Sequence, residues 1–397
     1  MLQSLFPRPR FFRTLVFTLS LLLLMLSSVS TARAAEKSSI QSQLLYIGTY
    51  TGPKSKGIYS ARFDPKTGQL TQPELAAETK KPTFLAVHPN HRFLYAVGEF
   101  DSFKGKPVGA VSAFSIDLKT GNLTLLNQQP SGGAGPCHLD LDKKGKCLLV
   151  ANYGSGSIAA LPIFADGKLG EAGSVIQHHG SSINRDRQSG PHAHFITTLP
   201  GENVAITCDL GLDQVLLYDL DPASASLKPH DPAFFTVKPG SGPRHLTFHP
   251  ERKWAYVINE MGSSITAFHF GAKKGLFSQT QNISTLPKDF SGGNSCAEIQ
   301  LHPSGKFLYG SNRGHNSIAI FSIDPKTGTL ACTGYEATQG KTPRHFAIDP
   351  SGQWLLAENQ DSNTIVIFHI DSKTGSLTPT GQTIELGAPV CLEFVGR

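Results

Sequence analysis

The chain has 397 residues with 39 glycines, 26 prolines and 17% charged side chains, long enough for a large core but punctuated too often for long helices. Its formal charge of +6 is not the footprint of a nucleic-acid binder, because no dense Lys/Arg patch interleaved with aromatics appears. What remains is a β-rich globular chain.

At the N-terminus, Arg8, Arg10 and Arg13 precede an apolar run from Leu15 to Leu26, and small residues then lead to Ala32-Arg33-Ala34. Residues 1–34 therefore read as a secretory signal peptide with an A-x-A cleavage site, since the apolar run is short for a membrane span. An uncleaved anchor is the alternative, because the run is strongly apolar. No adjacent pair of arginines supports a twin-arginine route. Cleavage removes four arginines and no acid, which leaves a mature charge of +2. The product would reside in the periplasm or the medium with no stable membrane insertion. Residues 35–42 read as a short linker and 43–397 as one domain.

From residue 43 onward the chain repeats, and a repeat decides the fold before any single motif does. Six full copies run "PTFLAVHPNHRFLYAVGEF", "PCHLDLDKKGKCLLVANYGSGSI", "PHAHFITTLPGENVAITCDLGLDQV", "PRHLTFHPERKWAYVINEMGSSI", "CAEIQLHPSGKFLYGSNRGHNSI" and "PRHFAIDPSGQWLLAENQDSNTI". A seventh is split between "PVCLEFVGR" at the end and "QLLYIGTYTGPKSKGI" at the start. Each copy alternates apolar residues, turns, and alternates again, the pattern of a four-stranded antiparallel meander. The turn "DPKTGQL" at 64–70 returns as "DLKTGNL", "DPKTGTL" and "DSKTGSL". One column, Phe84, His138, His194, His245, Glu298, His345 and Cys391, recurs every 46 to 56 residues, the length of four strands and their turns. The last copy supplies one strand and the N-terminus the other three. The fold class is therefore all-β: a seven-bladed β-propeller with four antiparallel strands per blade, its seventh blade closed by both chain ends. No G-H…W-D signature is present and there are two tryptophans, so the ring is not of the WD40 type.

In a propeller the start of each innermost strand and the end of the second share one face. The expected second column is Thr49, Glu99, Asn152, Asp209, Asn259, Asn312 and Asn359, followed by Tyr50, Phe100, Tyr153, Leu210, Glu260, Arg313 and Gln360. Most of the Asn side chains have an ordinary explanation as turn caps. In blade 3, Phe195 set beneath Leu246 puts His194 in the column of His245, with His192 in the preceding turn. The departures from repetition carry the functional signal. Arg244 and Arg344 replace small or apolar residues before the column, and Glu260 and Arg313 replace aromatic or neutral ones in the second ring. Two long links, 177–190 and 284–294, open on the same face and are expected to wall a pocket.

With "YIGTYT", "GPHAHF", "GPRHLTFHP…AYVINE", "AEIQLHPSGKFLYGSNRG" and "TPRHFAIDPSGQWLLAENQDSNTI" in hand, the chain resembles the seven-bladed β-propeller lactonase family over about residues 43–396. That family includes the bacterial 6-phosphogluconolactonase and is similar to the fungal 3-carboxy-cis,cis-muconate cyclase. The resemblance implies lactone hydrolysis by a cluster of His194, Arg244, Glu260 and Arg313, the positions that the repeat singled out. His192, His245, Glu298, Arg344, His138 and Asn312 are expected to contact the substrate, a small lactone or sugar acid. No cofactor or metal is expected, and nothing in the sequence fixes the oligomeric state.

A histidine suits water activation because its ordinary pKa is about 6.5, so His194 is expected as general base with Glu260 orienting it or shuttling the proton. Arg244 and Arg313 would stabilise the oxyanion or hold an anionic group. A second enzymatic reading, metal-dependent, places calcium among Asn152, Asp209, Asn259, Glu260 and Asn312, against the repulsion of two arginines. A muconate-type cyclase and a non-catalytic exported propeller that binds a sugar acid, a peptide or a cell-envelope ligand are the remaining alternatives. The six cysteines lack a C-x-x-C pair and read as buried free thiols, with one disulfide left open.

Overall fold

The computed structural model of the chain describes residues 42–271 and 276–396. The expected signal peptide and nearly all of the expected linker lie outside the described residues. Within them the chain forms seven antiparallel sheets, six with four strands each and one with five. Blade 1 begins at Leu85–Val87, blade 2 at Pro136–Leu141, blade 3 at Ala193–Thr198, blade 4 at Pro243–Phe248, blade 5 at Ser295–Leu301 and blade 6 at Pro343–Ile348. In blade 7 the C-terminal strand Pro389–Phe394 pairs with Gln43–Thr49, which pairs in turn with Gly57–Asp64. The short strands Gln69–Leu70 and Glu74–Glu78 complete that sheet. The closure expected from the split repeat is therefore the one the structure has.

Alternation along each strand sends every second apolar side chain to one neighbouring blade and the rest to the other. Seven apolar clusters result, one at each junction between adjacent blades. The cluster that joins Leu44, Tyr46 and Cys391 of blade 7 to Leu85, Leu94 and Phe114 of blade 1 seals the ring. Because no blade covers its own faces, each is stable only between its neighbours.

The recurring Asp-x-Lys-Thr-Gly turn has a packing reason. Its Asp accepts backbone N–H groups inside the turn, as Asp64, Asp324 and Asp371 do. Its glycine sits at φ 73°, 69° and 74° at residues 68, 328 and 375, where a Cβ would meet Trp354, Trp254 and Phe307 of the preceding blade. Tyr256 and Tyr309 donate their hydroxyls to the carbonyls of Gly328 and Gly375 at 2.9 and 2.8 Å. Trp354 Nε1 does the same to Pro65 O at 2.9 Å across the closure. The motif is thus a socket for the previous blade. All six cysteines are unpaired, five buried and Cys332 exposed on an outer strand.

Candidate active site

A β-bulge near the start of the innermost strand aims the site. In blade 4, Pro243 pairs with Asn259 and His245 with Ile258, leaving Arg244 as the extra residue. Blade 6 leaves out Arg344 between Pro343 and His345, and blade 2 leaves out Cys137 between Pro136 and His138. Blade 3 pairs Ala193 with Asp209 and Phe195 with Cys208, so its extra residue is His194. Such bulges re-aim a side chain without disturbing the sheet behind it.

This register corrects two alignments. His194 stands in the row of Arg244 and Arg344, and Phe195 takes the place of His138 and His245. An apolar residue cannot fix the register here, because Phe84 already shows that an aromatic fits the inner row. Gly98 pairs with Ala110 as Asn152 pairs with Ser157, and Glu99 N–H bonds to Lys81 O as Glu260 N–H bonds to Gly242 O. Glu99 therefore shares the row of Glu260, not that of the capping asparagines.

The inner row forms a septum across the channel. Phe84 lies 4.1 Å from His138 and 5.9 Å from His345 between ring centroids, and His245 lies 5.2 Å from both His138 and Phe195. On the far side is a chamber of about 560 Å³ lined by Asp140, Glu298, Asp349 and Glu393, with no lysine or arginine among the described residues that line it. His138, His245, Glu298 and His345 thus wall this chamber and the septum, deeper than the rim where substrate contact was expected for His138, His245 and Glu298.

On the near side the charged departures meet. Glu260, 6% exposed, accepts from Arg244 Nε at 3.1 Å and Arg187 Nη2 at 2.8 Å, and forms an ion pair with Arg313 Nη2 at 2.9 Å. Burial alone would raise its carboxyl, but Arg313 and Arg244 outweigh burial and hold it far below the usual range. Burial, then Arg313 and Arg344, push Arg244 down to about 10, so its guanidinium is still charged at neutral pH. Arg313 Nη2 also bonds to Cys296 O at 2.8 Å. Arg344 stacks 5.3 Å from the Tyr50 ring centroid, and Tyr50 donates to Glu99 at 2.7 Å.

His194 is 4% exposed, and its Nδ1 has no hydrogen-bond partner among the described residues. Burial and then Arg244 press its pKa well below the ordinary value, so the ring is neutral. It makes no hydrogen bond to Glu260 among the described residues, so the two groups meet through charge and not through the orienting bond that was expected. His245 is likewise neutral, by burial and Arg244. Its Nε2 accepts from Arg244 at 3.3 Å, so its Nδ1–H donates to Glu298 at 2.9 Å. His192 stacks on Tyr153 at 4.5 Å at the rim.

Asn312 is withdrawn from the substrate. Its amide donates to Thr285 O and Ser317 Oγ, and its oxygen accepts from Thr285 Oγ1 and Asn294, as expected of a cap. Asp209 is occupied by His178 at 2.7 Å and by the N–H groups of His192, Gly211 and Leu212. With Glu260 bound by three guanidiniums, both carboxylates and the Asn312 oxygen of the calcium reading are committed elsewhere, which leaves only the amide oxygens of Asn152 and Asn259 without a partner among the described residues.

Arg187 was not singled out in the sequence. Its link, 177–190, is pinned to blade 3 by His178–Asp209, Ser182–Asp213 and Gln188–Leu210 O contacts. That anchoring carries Arg187 across the mouth to Glu260 and to the Tyr153 hydroxyl. Two arginines in "NRDRQ", in a link of a chain poor in charge, were the available signal.

A seven-bladed propeller with an arginine-rich channel mouth and neutral buried histidines is a scaffold suited to an anionic or carbonyl-bearing small molecule. The chain belongs to the seven-bladed β-propeller lactonase family, whose model matches residues 44–394. It is 35% identical to the 6-phosphogluconolactonase of Bacillus subtilis over 88% of this chain and 97% of that one. A 6-phosphogluconolactonase of Formosa agariphila is also 35% identical, over 77% of this chain and 86% of the relative. The solved periplasmic gluconolactonase of Pseudomonas aeruginosa superposes with a TM-score of 0.85 at 34% identity, covering 90% of this chain and 99% of that structure.

Proposed function

We propose that the chain is an exported lactonase of the 6-phosphogluconolactonase kind, which hydrolyses a sugar lactone to its hydroxy acid at the near-side mouth. The observation that carries this reading is the charge balance there: among the described residues, Arg187, Arg244, Arg313 and Arg344 gather on the near side with Glu99 and Glu260, and His194 and His245 are neutral. The net excess of two positive charges favours the oxyanion formed at the lactone carbonyl and the carboxylate of the product.

Arg244 and Arg313 hold the developing negative charge, and Arg187 and Arg344 take the substrate's other polar or anionic groups. Glu260 fixes three guanidiniums in place and moves no proton. His194 hydrogen-bonds the substrate as a neutral ring; with its basicity lowered by burial and Arg244, it is a poor acceptor for the water proton. The export pattern at residues 1–34 and the periplasmic relative support an extracytoplasmic location.

Proton release by the secreted protein tests the reading with glucono-δ-lactone, its 6-phosphate and a muconolactone. Turnover of a glucono-lactone well above the spontaneous rate is expected. No acceleration of any of the three would leave the non-catalytic binding protein as the better account.

A further inference from the structure

The repeat set Glu99 among the capping residues of the mouth, and neither the repeat nor the family resemblance gave it a part in the chemistry. Its two oxygens accept from the Tyr50 hydroxyl at 2.7 and 2.8 Å and from Thr83 Oγ1 at 2.5 Å. Both partners are neutral donors, and no guanidinium lies within ion-pair distance of it among the described residues. Glu260, by contrast, is bound by three. One carboxylate of the mouth is thus locked to cations and the other is held by hydroxyls alone. Burial raises the Tyr50 hydroxyl above its ordinary pKa, so Tyr50 stays protonated and remains a donor.

Beside Glu99 lies a niche of about 10 Å³, walled by Glu99, Thr83, Arg244, His245, Arg344 and His345. That volume is about what one water needs, and the walls offer it more than two polar partners. The niche sits on the near side of the septum, bounded by Phe84 below. It places one carboxylate and two guanidiniums around a single water-sized space.

We infer that Glu99 is the general base of the reaction and that the niche holds the attacking water. This rests on the lactonase reading above. As the water oxygen bonds to the lactone carbonyl carbon, one of its protons passes to the Glu99 carboxylate and the C=O electron pair moves to oxygen beside Arg244. Collapse of the oxyanion breaks the ring C–O bond. The leaving alkoxide takes the proton back from Glu99, which restores the carboxylate, and the new carboxylic acid of the product ionises to solvent. Water is the only co-reactant. Tyr50 and Thr83 are positioning residues that hold the carboxylate toward the niche.

The test is steady-state kinetics of the full secreted chain and its variants on the lactone that the wild type turns over fastest. Glu99→Gln is expected to lower kcat by at least ~100-fold, the usual range for loss of a general base, while KM stays within about threefold. Glu99→Ala should regain activity in proportion to added formate, which no structural role predicts. If the Gln variant does not fold, Glu99→Asp against Glu99→Asn carries the same contrast at equal size, with Asp at least tenfold faster. A folded Gln variant with kcat near wild type, or Asp and Asn of equal rate, overturns the assignment and leaves the lactonase reading standing. A wild type inactive on every lactone overturns both.

Discussion

The two halves of the channel share a scaffold and differ in charge. The near side gathers four arginines around two glutamates, whereas the far chamber is larger, about 560 Å³, and is lined by Asp140, Glu298, Asp349 and Glu393. Between them stand the rings of Phe84, His138, Phe195, His245 and His345. Size alone would favour the far chamber as the site. Charge favours the near side, because lactone hydrolysis generates negative charge on oxygen, which carboxylates repel and guanidiniums stabilise. Sevenfold repetition builds a channel, and a few substitutions at the bulge row turn one end of it into a reaction site.

The largest expected effect comes from the near side. Arg244→Ala should lower kcat/KM by roughly a thousandfold, the scale of losing a principal oxyanion donor; steady-state proton release measures it. A loss under tenfold would remove Arg244 from the chemistry. His194→Ala should cost about a hundredfold in kcat, by the same assay, with the melting temperature within a few degrees of wild type. Arg187→Ala should act more mildly. Its guanidinium reaches the mouth from a link, and its loss should raise KM about tenfold with kcat little changed.

On the far side the expected effect falls on stability. Burial raises the Asp140 carboxyl to about 6, against the hydrogen bonds of Thr197 and Leu141. A raised folded-state value means that the folded protein holds the proton more tightly than the unfolded chain. This group's contribution is therefore most favourable below about pH 4 and is lost as pH rises through 6. Asp140→Asn should stabilise the protein by about 1 kcal/mol at pH 7.5 and leave it unaffected at pH 4, with turnover unchanged. Chemical denaturation at the two pH values checks this, and a large loss of activity in that variant would erase the distinction between the chambers.

The architecture was legible in the sequence because each blade needs its neighbours, so selection wrote the same apolar alternation and the same Asp-x-Lys-Thr-Gly socket into copy after copy. The split copy announced the closure. The row of each site residue was harder to read, because a β-bulge adds one residue without changing the apolar pattern. His194-Phe195 could be read in either register, and the aromatic Phe84 made Phe195 acceptable in the wrong place as well as the right one. Glu99 was displaced by one residue since Gly98 fills the capping position without a cap. Arg187 stayed hidden because a link outside the repeat has no column against which a departure can show.

The most direct test is a crystal structure of the protein with a gluconate product bound. A carboxylate seated against Arg244 and Arg313, with the other oxygens of the sugar acid reaching Arg187 and Arg344, is the expected result. A product molecule lodged beyond the septum, among Asp140, Glu298 and Glu393, would contradict it.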